Sequence, residues 1–196
     1  MDVLGELREF REMNARVAQL EAQGSDSMSI RRAMQMPAKP GESDLGYQAR
    51  ILIYNYASDF LQAAEAGGVT LQLLPEDAEQ VAQAVGCAYE ANRGHRGLRQ
   101  EDNLVLISKE LGCYLALTLC HAMEGKIKVQ AVPVQSGKGL SALLVNGIVF
   151  QVALPGGRTI NTIEVANRVV RSIRVSDTGL TLNQRPILRL LVDRKG

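Results

Sequence analysis

Tryptophan is absent from the 196 residues, and the other rings amount to three Phe and five Tyr. A core must therefore be built from Leu, Val, Ile and Ala. The scarcity also argues against a nucleic-acid surface made of stacking rings. Cysteine is scarce too: Cys87, Cys113 and Cys120. The number is odd, and two of the three fall on one predicted helix. Seven residues at about 1.5 Å rise set that pair roughly 10 Å apart, beyond the reach of a disulfide. Reduced thiols and a cytoplasmic location are the expectation. Two His and these three Cys show no metal-ligand spacing, so neither a metal nor a cofactor is expected. No serine stands in a nucleophile elbow, and an enzyme is the less favoured reading. No basic start leads into an apolar run, so no secretory signal is expected.

A long apolar run is missing as well, though one stretch comes near. From Leu111 to Cys120 the only polar side chains are Tyr114 and Thr118. That run is about half of the roughly 20 residues a bilayer requires, and Lys109 with Glu110 closes it. No membrane partner is expected. A helix apolar nearly all round is a buried one. Leu104 to Met123 therefore reads as a central helix, capped by Asp102 or Asn103 and ended by Gly125 in a left-handed conformation. Gly112, Ala116 and Cys120 recur every four residues as a small-residue face for a close neighbour. Glu110, Tyr114, Thr118 and His121 form a second line with polar tips. They are either the wall of a small-molecule pocket or, more plainly, one edge of a core helix.

Charge of one sign is short in each half. Residues 1–125 hold 18 acids and 11 bases; residues 126–196 hold 3 acids and 11 bases, although the whole carries a net +1. Either the halves attract within one fold, or the C-terminal third offers a basic surface to an acidic partner.

The N-terminal part reads as helices. Val3, Leu7, Phe10, Met13, Val17 and Leu20 draw one stripe over residues 2–23, which docks on the body or pairs with a sister subunit. Residues 24–44, with Pro37, Pro40 and Gly41, read as a linker free to move, holding a short helix near Ile30 to Met34. Asp44 caps a helix to about 66. Pro75 opens another to about Ala91, with Glu76, Asp77 and Glu79 suiting its positive end. After Gly125 the period falls to 2. Strands are expected at Lys126–Ala131, at 140–145 and, through an Asn146-Gly147 hairpin, at Ile148–Leu154. The last two are apolar on both faces, which predicts cover on both sides. Asn161 or Thr162 caps a helix to about Ile173. Leu180–Leu182 and Ile187–Val192 read as closing strands around Pro186.

Other site candidates are weaker. Arg93, His95, Arg96 and Arg99 sit in a glycine-bearing loop before the central helix and form a possible anion site, against the plainer reading of a solvated loop. Residues 155–162 and 136–139 are glycine turns without a P-loop ending. Arg168, Arg171, Arg174, Arg185 and Arg189 face outward and could meet phosphates. Leu-Gly-x-Tyr-Leu at Leu111–Leu115, followed by a glycine turn, strands and a short helix, resembles several uncharacterised bacterial α+β domains. Some of these are suspected immunity proteins; the resemblance implies a fold and no activity.

The expectation is an α+β protein in which N-terminal helices pack on a small, mainly antiparallel sheet with one further C-terminal helix. A helix 1–23 and a linker 24–44 precede a single domain 45–196. Its expected role is that of a non-catalytic interaction or accessory protein, associating with itself or another protein. The alternatives are nucleic-acid binding through the C-terminal third and small-molecule chemistry at the Glu110–His121 line.

Overall fold

The computed structural model describes residues 2–93, 100–132, 147–176 and 179–192. Among them are seven helices and two small antiparallel sheets, an α+β fold. The helices are α1 (Val3–Ala22), α2 (Ser27–Ala33), α3 (Asp44–Ala66), α4 (Ala78–Arg93), α5 (Gln100–Ala122), α6 (Thr162–Val170) and α7 (Arg185–Leu191). The strands are β1 (Lys126–Ala131), β2 (Ile148–Ala153), β3 (Thr159–Ile160), β4 (Arg174–Ser176) and β5 (Gly179–Thr181).

α5 is the centre. Leu111, Cys113, Tyr114, Leu115, Ala116, Leu117, Thr118 and Leu119 are fully buried. Length and composition would let this helix cross a membrane, but it is mostly buried within the fold. Its hydroxyls turn back on the helix: Ser108 Oγ donates to the Leu104 carbonyl at 2.7 Å, and Thr118 Oγ1 to the Tyr114 carbonyl at 3.0 Å. Both are thus satisfied without water. The small-residue face works as its spacing suggests. A Cβ on Gly112 would lie 2.6 Å from Ile163 Cδ1 and 2.8 Å from Ile163 Cα, so α6 crosses α5 where there is no side chain.

Both ends of α5 differ from expectation. Asp102 and Asn103 lie inside its first turn instead of capping it, and residues 94–99 are outside the described set. At the other end the left-handed residue is Glu124, with φ 53°, and not Gly125. Gly125 is required for room: a Cβ there would stand 2.7 Å from Val152 Cγ1 and 3.0 Å from the Leu119 oxygen. The Gly125 N–H donates to that same oxygen at 3.1 Å, closing the helix onto the sheet.

α3 and α4 flank α5. Ser43, and not Asp44, caps α3, its Oγ accepting from the Gly46 N–H at 3.1 Å. Gly67 and Gly68 stop it; Gly68 has φ 78°, and the Val69 N–H reaches back to the Ala64 carbonyl at 2.9 Å. Asp77 is more than a helix-start charge. It is buried, and its Oδ2 accepts from Gln72 N (2.7 Å), Leu74 N (3.1 Å) and the Tyr114 hydroxyl (2.9 Å). This one oxygen holds the turn around Leu73, whose φ is 59°, and ties the start of α4 to α5.

β1 pairs antiparallel with β2, from Lys126 opposite Ala153 to Ala131 opposite Ile148, and β3 pairs with the far side of β2. The expected strand 140–145 and Asn146 lie outside the described residues; Gly147 has a positive φ of 77°. Among the described residues β2 is buried on one face more than on the other. Ile148, Phe150 and Val152 are buried, while Gln151 on the other face is exposed. Gly156 and Gly157, both with positive φ, make a plain turn from β2 to β3. Asn161 caps α6 by accepting from the Glu164 N–H at 3.1 Å.

The second expected closing strand, Ile187–Val192, is corrected to a helix. Pro186 occupies its first turn, and Ile187, Leu190 and Leu191 are buried at helical spacing while Arg185 and Arg189 stay outside. Ser172 Oγ accepts from the Asn183 N–H at 2.7 Å, which joins the end of α6 to the start of α7.

Candidate functional site

The Glu110–His121 line does not form one wall. Glu110 faces Asn92 of α4 and Asp59 of α3; Tyr114 is spent on Asp77; Thr118 is spent on its own helix. These three are buried, and only His121 borders a cleft. Burial and the nearby Asp59 push the Glu110 carboxyl up to about 7, and its Oε2 has no hydrogen-bond partner. Burial likewise pushes the Cys120 thiol up to about 11 and the Cys113 thiol well above its ordinary value. Neither is poised as a nucleophile.

Of the loop arginines, Arg93 is exposed and paired with Glu90 at 3.7 Å; His95, Arg96 and Arg99 are outside the described residues. The C-terminal arginines are all exposed. Arg168 is tied to Glu164 at 2.5 Å and Arg171 Nε donates to Asn167 Oδ1 at 3.0 Å. The Ser172–Asn183 contact brings Arg171 and Arg174 onto elements adjoining that of Arg185. The ion pairs Arg11–Glu65, Lys39–Glu6, Arg50–Glu42, Arg93–Glu90 and Arg168–Glu164 each join two residues of the same half of the chain. The acidic and basic halves thus do not neutralise one another through these pairs.

A cleft of about 870 Å³ is bordered by only one residue of the Glu110–His121 line, His121. It sits between the start of α3, the end of α5 and the strands β1 and β2. Ile53, Cys120, Ile127, Val129 and Leu154 give it apolar lining, with His121, Glu124 and Lys126 also bordering it. One wall is the expected linker, fastened to α3. The Arg50 Nε and Nη2 donate to the two oxygens of Glu42 at 2.7 and 2.8 Å, and Nη2 also donates to the Pro37 carbonyl at 2.9 Å. These bonds hold the Arg50 guanidinium above its ordinary value and the Glu42 carboxyl below it. Lys39 Nζ and the Tyr54 hydroxyl donate to the two oxygens of Glu6, at 2.6 and 3.0 Å. Arg50 and Lys39 are thereby committed to neighbours inside the fold.

A second feature is the arm formed by α1 and α2. The apolar stripe of α1 is buried at Val3, Leu7, Phe10 and Met13, then opens: Val17 and Leu20 are only half-buried. α2 buries none of its side chains, and Met28 and Met34 are 58% and 55% exposed. What holds α2 is its cap, Asp26, which accepts from Met28 N, Ser29 N and Ser29 Oγ. Two adjoining depressions share Arg16 and Gln35. One is bordered by Glu9 and Glu12, the other by Arg16 and Arg32, so the groove along α1 has an acidic and a basic end.

Fold and surface together define a helix-rich α+β protein with an exposed helical arm and exposed C-terminal arginines. Comparison of the chain with protein-family models, curated proteins and solved structures found no match, so the likeness to bacterial α+β domains gains no support.

Proposed function

We propose that this chain is a non-catalytic interaction or accessory protein that associates with a second copy of itself through the α1–α2 arm. The observation that carries this reading is α2, a seven-residue helix with no buried side chain. Isolated helices shorter than about 12 residues are marginal in water. Exposed methionines on such a helix form an adaptable surface that gains stability when covered. A second copy is favoured by the groove, whose ends carry opposite charge. A two-fold interface requires a self-complementary patch, and here the acids of one protomer can meet the bases of the other.

A charge swap tests it. Glu12→Lys alone or Arg32→Glu alone places like charges together twice per dimer and weakens association by about tenfold or more. The two changes combined restore it. Association indifferent to either change contradicts the reading.

A second reading, nucleic-acid binding through Arg171, Arg174, Arg185 and Arg189, is supported by the exposure of these four side chains. Residues 126–196 hold three acids, of which Glu164 is engaged by Arg168. It predicts a duplex affinity that falls steeply with salt. Absence of any mobility shift at low salt would end it.

A further inference from the structure

We propose that Glu110 is a proton-operated latch between α3, α4 and α5: neutral, its carboxyl lets the three helices close, and ionised, it loosens the C-terminal turn of α4. Glu110 is only 4% exposed, yet it lacks what a buried carboxylate requires. Oε2 meets no donor, and among the described residues the Asn92 amide on α4 is the donor group beside the carboxyl. That amide also serves the Ala88 carbonyl at 2.9 Å. Among the described residues, the groups on α3 that face it are a second carboxyl and a phenol. α3 contributes Asp59, a second carboxyl, and Tyr56, whose hydroxyl burial holds in its neutral form. α5 contributes Cys113, kept as a thiol, and Lys109, whose ammonium stands 6.0 Å from the Tyr56 ring centroid and acts on the Cys113 sulfur. An isolated charge in such a place either takes up a proton or draws water in by parting its neighbours.

The sign follows from linkage. The folded value, about 7, lies above the ordinary 4.5. The folded chain thus holds the proton more tightly between those two values, so stability is fully present below 4.5 and is lost as pH rises through 7. From pH 5 to pH 8 the wild-type folding equilibrium should weaken by on the order of fifty-fold relative to Glu110→Gln, which cannot ionise. Urea unfolding of both proteins at the two pH values reads this, and hydrogen exchange of the last turn of α4 should speed up beyond the base-catalysed rise. A constant difference between wild type and variant across the range overturns the latch. The wild-type chain alone decides the matter if the variant fails to fold. With carboxyl-labelled glutamate, one resonance titrates near 7 if the latch exists; every resonance titrating in the ordinary glutamate range overturns it.

Discussion

Gly112 serves α5 as its place on the small-residue face suggests, whereas Gly125 provides room and not the left-handed turn. Neither has a positive φ; both stand where a Cβ would meet another element. At Gly112 the obstacle includes the backbone of Ile163, which cannot rotate away. Gly112→Ala should therefore destabilise by about 1–3 kcal/mol, the range for overpacking, measured by chemical denaturation. Asp77 is a second residue on which much depends. Asp77→Ala would strand the Gln72 and Leu74 amides and the Tyr114 hydroxyl together. A loss of about 3 kcal/mol or more is expected, and Tyr114→Phe should cost markedly less because it strands no backbone donor. Glu42 carries an acid-sensitive contribution. Its carboxyl is held below its ordinary 4.5, mainly by the Arg50 hydrogen bonds. The stability it adds is present above 4.5 and lost as pH falls through the depressed value. Glu42→Gln should cost about 2 kcal/mol at neutral pH, less than a fully buried pair because both ions stand at the cleft wall, and should flatten the acid limb of a stability–pH curve.

At the scale of elements, the arm depends on its cap more than on packing. With no side chain of α2 buried, Asp26→Ala should weaken the helix and abolish protection from exchange in α2 while leaving α3 and α5 protected. Helices long enough to show period 3.6 were readable in the chain: the stripes of α1, α3, α4 and α6 and the nearly all-apolar α5. β1 was readable from period 2, and β2 from the apolar run that follows Asn146-Gly147. α7 was not, because Pro186 suggested a break between strands, although Ile187, Leu190 and Leu191 already had helical spacing. Tyr54, 2% exposed, is a polar-tipped residue whose hydroxyl finds Glu6 on another helix, a partner that local spacing does not show. The cleft was invisible for a similar reason. Its walls come from residues 39–54, 120–129 and 153–155, and only tertiary packing brings them together. Buried Glu110 and Thr118 likewise had the polarity of an exposed edge, and nothing local announces that a polar tip has a partner inside.

For the whole molecule, the two halves of opposite charge share one core, and the five ion pairs named among the described residues each stay within one half. The acidic half carries the arm, and the basic half carries the arginine face. An association through the arm would leave that basic face outside, so salt should weaken any polyanion binding far more than it weakens a dimer with methionines at its centre. The central claim is self-association, and sedimentation equilibrium of the full chain tests it most directly. A mass of twice the 21.3 kDa chain is predicted at micromolar concentration, reverting to 21.3 kDa in the Met28→Glu, Met34→Glu double variant. A wild-type mass of 21.3 kDa across the accessible concentration range would contradict the account.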